Sequence, residues 1–179
     1  MSTQRERLLE HRLVSDLAEL MLRRGMEMDV LRGEFDGHGH DVVFQAAGVI
    51  RHVQLKAMVL GGKRSNVSIN VRLRAQPSGC VVWMTYEPAT LKVVEYRWFG
   101  GEPGEPVPEL GNSITRHSKA NMNLEKTRRV GHRDVTVRQA DQPRSACRPP
   151  VWPNTLARHK PCSCPAARAI RARMEIACP

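Results

Sequence analysis

The chain is poor in the features that define several protein classes. Of its five cysteines only Cys80 lies in the part with regular apolar patterning, so the sequence does not indicate a disulfide framework. No run approaches the roughly 18 apolar residues that a membrane-spanning helix needs. Residues 1–7 lack the apolar stretch of a secretory signal peptide. We therefore expect a cytoplasmic protein with no membrane partner.

Acidic residues are outnumbered by basic ones. The chain has 18 Asp and Glu against 28 Lys and Arg, a net charge of +10. Residues 1–140 carry 16 acidic and 21 basic side chains, whereas residues 141–179 carry 2 and 7, so each part contributes +5. Such an excess favours a polyanionic partner, nucleic acid first. The plainer interpretation is a soluble protein with a basic tail.

Composition also divides the chain into two parts. Residues 141–179 hold seven of the twelve prolines and four of the five cysteines, with Trp152 as their one aromatic residue. Such a segment buries too little apolar surface to offset the entropy lost on ordering. One residue separates Cys162 from Cys164, a spacing too tight for a zinc knuckle. We predict a folded domain over 1–140 and a disordered, basic, Pro/Cys-rich tail over 141–179.

The periodicity of apolar residues predicts the order of elements in the folded part. In sequence these are a helix over 5–24, strands over 26–35, 41–46, 50–58, 80–86 and 91–99, a polar helix over 114–127 and a last short strand over 132–138. Residues 66–76 fit both periods, because Ile69, Val71 and Leu73 alternate as in a strand while Val67 and Val71 suit a helix. The pattern alone does not decide whether this segment is a strand or a helix.

The two strands around residue 47 predict a β-hairpin with a polar end. With a two-residue turn at Ala47 and Gly48, paired residues have numbers that sum to 95, so Asp41 lies opposite Gln54. Side chains alternate along a strand and paired residues share a face, which puts Asp41, Gln54 and Lys56 together. The opposite face is apolar and consists of Val42, Phe44, Val53 and Leu55.

A carboxylate, an amide and an amine on one hairpin face suit hydrolytic chemistry. The carboxylate of Asp41 and the amide oxygen of Gln54 can hold a hard divalent cation such as Mg2+ or Mn2+. Such a cation lowers the pKa of a bound water, which Lys56 can orient or help to deprotonate. Each residue also has a plain interpretation: Asp41 as a strand cap, Gln54 as an exposed strand residue and Lys56 as a solvated charge.

The pattern Asp41, twelve residues, Gln54-Leu55-Lys56 resembles the PD-(D/E)xK restriction-endonuclease-like superfamily, and within it the Holliday-junction-resolvase-like and uncharacterised bacterial branches. The resemblance covers about residues 6–100. It implies an α/β (α+β) fold with a central mixed β-sheet flanked by helices, in the order α-β-β-β-α-β. It therefore favours a short helix at 66–76. It also implies an acidic residue on the leading helix, a position that Glu10 matches.

The sequence departs from that superfamily at two positions. His40 stands where a proline usually precedes the first aspartate, and Gln54 replaces the usual carboxylate. The neutral amide removes one negative charge from the implied metal site. It thereby favours, as an alternative, a catalytically inactive nucleic-acid-binding or interaction domain on the same fold. A third interpretation is an unrelated α/β protein whose hairpin matches by chance.

The implied function is a metal-dependent nuclease that hydrolyses DNA phosphodiester bonds. Asp41, Gln54 and Glu10 would be the ligands of Mg2+ or Mn2+, and together with Lys56 they form the predicted catalytic set. Nucleic-acid contacts are predicted at Lys63, Arg64, Lys119 and Lys126. The glycine-lysine loop at 61–64 is too short for a phosphate-binding P-loop. The sequence is also compatible with a homodimer.

Overall fold

A computed structural model of the chain describes residues 2–34, 37–116 and 126–136, which form an α+β fold. The elements, in chain order, are α1 (Ser2–Arg23), β1 (Met28–Leu31), β2 (Val42–Ala46), β3 (Val49–Val59), β4 (Asn66–Asn70), a 3-10 helix (Val71–Ala75), β5 (Gly79–Tyr86), β6 (Val93–Gly100), β7 (Ile114–Arg116) and β8 (Arg128–Thr136). The predicted tail at 141–179 lies outside the described residues. No helix among the described residues is long and apolar enough to cross a membrane.

The leading helix presents one apolar stripe to the sheet. Leu9, Leu13, Leu17 and Met21 recur every four residues and are all buried. The helix ends where Gly25 takes a φ of 68°, and the N–H of Met26 then donates to the carbonyl of Met21 at 3.0 Å. The predicted helix and its glycine cap are confirmed.

The central sheet is mixed and five-stranded, in the order β1-β2-β3-β5-β6. All neighbours are antiparallel except β3 and β5, which run parallel. The register of β2 and β3 runs from Val42 opposite Val53 to Ala46 opposite Val49, so paired numbers sum to 95. The turn residues Ala47 and Gly48 have φ values of 48° and 80°. The predicted hairpin, its turn and its register are confirmed.

The predicted helix at 66–76 is wrong. Residues 66–70 form β4, in which Val67 and Ile69 are buried while Asn66 and Ser68 are not. The alternating strand pattern, and not the helical one, decides the structure here because β4 pairs with β8 and buries one of its two faces. Only the second half of the segment turns, as a 3-10 helix of five residues that the side chain of Asn70 caps. The order α-β-β-β-α-β is therefore not observed, since a strand and a 3-10 helix replace the second helix.

A second, antiparallel sheet in the order β4-β8-β7 covers the other face of the central sheet. It corrects the predicted polar helix over 114–127, because Ile114–Arg116 forms β7 and residues 126–127 are not helical. Residues 117–125 lie outside the described part. Thr115 is buried, which fits a strand better than a polar helix. In the described residues the central sheet is thus flanked by α1 on one face and by the second sheet on the other.

Two apolar cores lie on the two faces of the central sheet. The first packs α1 against β2, β3, β5 and β6, and the second packs β5 and β6 against the second sheet. Every residue of β5 is buried, and successive side chains alternate between the cores. Val81 and Trp83 face the second core and are the register partners of Gln54 and Lys56. The polar hairpin face therefore points toward the second sheet.

Candidate functional site

Asp41 lies directly before β2 with its carboxylate against β3. Its N–H donates to the carbonyl of Val53 at 2.9 Å, and its Oδ2 accepts from the N–H of Leu55 at 2.6 Å. Leu55 stands between Gln54 and Lys56. The structure thus brings the exposed Asp41 carboxylate to the backbone of the Gln54–Lys56 segment, at the position that the hairpin register predicts.

The side chain of Gln54 is buried between the two sheets. It is only 6% exposed, and its Oε1 accepts a hydrogen bond from the backbone N–H of Asn70 at 3.2 Å. The interpretation of Gln54 as an exposed strand residue is therefore wrong. This hydrogen bond fixes the orientation of the amide. It uses one lone pair of the amide oxygen and leaves the second lone pair for another partner.

Lys56 is half-buried and lines a cavity of about 890 Å³. The wall of the cavity runs from β3 through the loop before β4 to the ends of β7 and β8. Six cationic side chains line it: Lys56, Arg64, Arg116, Lys126, Arg128 and Arg129. Among the described lining residues Asp134 is the single carboxylate. Of the three polar hairpin residues, Lys56 is the one that opens into this strongly positive cavity.

Two of the four predicted nucleic-acid contacts line this cavity. They are Arg64 and Lys126. Lys63 is exposed but does not belong to the lining residues, and Lys119 lies outside the described part. Arg116 was missed, because the sequence around it was assigned to a helix. A strand pattern at Ile114 and Thr115 is the signal that could have found it.

A chain of hydroxyl groups joins the three strands of the second sheet beside the cavity. Ser68 donates to Thr115 at 3.0 Å, and Thr115 donates to the Oδ1 of Asp134 at 2.7 Å. The backbone N–H of Asp134 also donates to the carbonyl of Ser113 at 2.8 Å. The cavity lining thus rests on an ordered polar network, in which the Asp134 carboxylate accepts a hydrogen bond from within the protein.

Glu10 lies in the helix layer, on the other side of the sheet from the Gln54 and Lys56 side chains. It is 6% exposed, and its two carboxylate oxygens accept from Arg32 Nε at 2.6 Å and from Arg7 Nη1 at 3.3 Å. These contacts give Glu10 a clear role in joining α1 to the end of β1. Its role as a metal ligand stays a prediction.

His40, which directly precedes Asp41, lies against His52 of β3, a residue that the sequence did not indicate. His52 precedes Gln54 by two residues and so shares its face of β3. Its Nδ1 lies 2.7 Å from the carbonyl of Pro77, which assigns a proton to Nδ1 and leaves a lone pair on Nε2 in the neutral ring. The rings of His40 and His52 lie 5.0 Å apart. The period-two relation of His52 to Gln54 is the signal that could have identified it.

The donor set at the end of the hairpin fits a hard divalent cation. Asp41 and Gln54 supply a carboxylate and an amide oxygen, and Mg2+ in proteins commonly completes such a pair with water and substrate phosphate. Among the described residues no three His, Cys, Asp or Glu side chains are arranged to hold a metal. The sequence matches no protein-family model and no curated protein. The function is therefore inferred from the residues and contacts of the site.

Proposed function

We propose that this chain is a metal-dependent nuclease-like protein with a restriction-endonuclease-like core, which hydrolyses DNA phosphodiester bonds. One observation carries the proposal: the Asp41 carboxylate lies 2.6 Å from the Leu55 nitrogen, between Gln54 and Lys56. The leading helix, the three antiparallel strands and the later parallel strand β5 support the same core. The β4 strand and the 3-10 helix stand where that core would have its second helix.

Asp41 and Gln54 are the residues that would hold Mg2+ or Mn2+. When bound, the cation supplies charge neutralisation at a phosphate and lowers the pKa of a bound water. Asp41 contributes the negative charge, and the hydrogen bond from Asn70 keeps the Gln54 amide oxygen oriented. Glu10 could join this set only by exchanging its arginine partners.

Lys56 would act on the attacking water and on the phosphate. It follows Gln54 by two residues on β3, so its ammonium projects from the same face. The Lys56 ammonium group there can orient the water and offset the negative charge that develops in the transition state. The other five cationic residues of the cavity would attract the DNA backbone and raise its local concentration.

A second candidate function is a nucleic-acid-binding domain without catalysis. The observation that favours it is the state of Gln54, which is uncharged, buried and hydrogen-bonded to Asn70 across the two sheets. An amide in that role can be structural. The basic cavity would serve such a binding domain equally well, so the two candidates differ only in divalent-cation binding and in cleavage.

A nuclease assay on linear, branched and single-stranded DNA, with Mg2+ or Mn2+, tests the proposal. We expect Asp41→Ala and Lys56→Ala each to lower the cleavage rate by about 10²-fold or more, the usual contribution of a catalytic acid or base. Asp29→Ala and Lys92→Ala are matched controls at exposed positions and should cleave at the wild-type rate. Cleavage that survives both site substitutions contradicts the mechanism. DNA binding without any cleavage supports the second candidate.

A further inference from the structure

The described residues that line the cavity beside Lys56 carry an excess of positive charge. Its six cationic side chains face one carboxylate, and that carboxylate, on Asp134, accepts a hydrogen bond from Thr115. No ion pair between described residues involves Arg64, Arg116 or Arg128. A concave surface of one sign focuses the electrostatic field and concentrates ligands of the opposite sign.

Two of the arginines lie directly opposite each other in the second sheet. Arg116 on β7 and Arg128 on β8 are register partners, so their side chains leave the second sheet from the same face. Like charges directly opposite each other in an antiparallel pair destabilise the sheet. An anion between the two guanidinium groups removes that repulsion, and a phosphate accepts hydrogen bonds from arginine in the paired, planar geometry that suits it.

The remaining lining residues suit sugar and phosphate oxygens more than bases. Asn66, Asn112 and Ser113 line the cavity, and short amide and hydroxyl side chains commonly bond the nucleic-acid backbone. Among the described lining residues there is no Phe, Tyr, Trp or His. Single-strand-binding sites usually stack the bases on aromatic rings, whereas a duplex presents its phosphates outward and keeps its bases paired.

We propose that this cavity binds the sugar–phosphate backbone of double-stranded nucleic acid without reading its base sequence. The arginine pair of β7 and β8 holds one phosphate, and Arg64 contacts the strand where it passes the loop before β4. The inference deepens the proposed function by naming the form of its substrate, and it rests on that function only for the chemical role of Lys56.

Binding of a short fluorescent duplex, measured by anisotropy at several salt concentrations in a chelator without divalent cations, tests this site. We expect Arg116→Gln, Arg128→Gln and Arg64→Gln each to weaken binding several-fold. Each should also reduce the magnitude of the negative slope of log K against log salt. The reduction is about one for Arg64→Gln, because one phosphate contact is lost, and less than one for Arg116→Gln or Arg128→Gln, because the other arginine still contacts the shared phosphate. Arg64 lies in a loop, so its variant does not depend on the fold of the second sheet. Arg23→Gln on α1 is the matched control and should bind as the wild type does.

Probes of different sequence and strandedness test whether the cavity prefers a duplex and ignores its base sequence. Duplexes of different sequence should bind equally, and a single strand of the same length should bind more weakly. The site is overturned if the wild type binds no duplex, if the three variants keep its affinity and salt slope, or if the single strand or one particular sequence is strongly preferred. Because no divalent cation is present, duplex binding that depends on these arginines stands even where no DNA is cut. Cleavage that survives their loss contradicts this site alone.

Discussion

At the scale of single residues, Gln54 decides how the candidate site can work. Its amide oxygen accepts a hydrogen bond from Asn70, and the Asp41 carboxylate accepts one from the backbone of the next residue, Leu55. Gln54 therefore has an observed structural role beside the ligand role that we propose. A glutamate could accept the same hydrogen bond and would add a negative charge. In the proposed site, the side chain that departs from the superfamily pattern is thus also the one expected to limit the cation affinity.

The ion pair of Glu10 separates its structural role from a catalytic one. We expect Glu10→Gln to lower the free energy of unfolding by about 1–2 kcal/mol, because Arg32 loses its charged partner. A fully buried pair would lose about 3–5 kcal/mol, but Arg32 is 40% exposed. Chemical denaturation measures the loss. Glu19→Gln on the same helix breaks an exposed pair with Arg23 and should cost less than about 1 kcal/mol. Equal losses in the two variants contradict this account, and a cation affinity that falls in Glu10→Gln supports the predicted ligand role.

Tyr96 gives the protein a pH-dependent contribution to stability. Burial raises the pKa of its phenol above the ordinary 10.0, and the hydrogen bond to Asp16 and the negative charge of Asp16 raise it further, against the opposing effect of Arg12. The folded state therefore keeps a proton that the unfolded state loses above about pH 10. We expect the free energy of unfolding to fall with rising pH in that range, and to fall less steeply in Tyr96→Phe. Denaturation at a series of alkaline pH values measures both slopes, and identical slopes would contradict the assignment.

At the scale of elements, the hairpin turn carries a strained residue. Ala47 has a φ of 48°, in the left-handed region that costs a residue with a Cβ about 1–2 kcal/mol. We expect Ala47→Gly to raise the free energy of unfolding by about 0.5–1 kcal/mol, since the strain relieved exceeds the entropy that glycine loses on folding. Thermal unfolding measures the gain. Ala89→Gly, in a turn where the residue does not have a positive φ, should lower stability instead. A loss in both variants contradicts the account.

Elements with one clear period and a local partner were predictable from the sequence. The helix with its stripe at Leu9, Leu13 and Leu17, and the hairpin closed by its own turn, both depend on neighbours along the chain. The segment 66–76 and the segment starting at Ile114 were not predictable, because each becomes a strand by pairing with β8. When a short stretch fits both the strand and the helix period, pairing with a strand distant in sequence determines its secondary structure. At 66–76 the resemblance to a known core favoured a helix, whereas pairing with β8 makes residues 66–70 a strand.

At the scale of the whole molecule, the candidate site lies where two sheets meet. The register of one hairpin predicts that Asp41, Gln54 and Lys56 share a face. That register is observed, and the Asp41 carboxylate accepts a hydrogen bond from the backbone of Leu55. The cavity that Lys56 shares with Arg116 and Arg128 was not predictable, because β7 and β8 close it from far along the chain. The hairpin face therefore follows from local pattern, and its basic surroundings follow from tertiary structure.

A calorimetric titration of Mg2+ and Mn2+ into the protein tests most directly whether the hairpin end is a metal-dependent site. Wild type, Asp41→Ala and Gln54→Glu are compared, with Gln45→Glu as a control that adds the same charge at an exposed position of β2. We predict that the wild type binds the cation, that Asp41→Ala weakens binding at least about tenfold, and that Gln54→Glu strengthens it by about tenfold, or about 1.4 kcal/mol. Gln45→Glu should match the wild type. An affinity unchanged in folded Asp41→Ala, or no binding in both wild type and Gln54→Glu, would contradict the metal site.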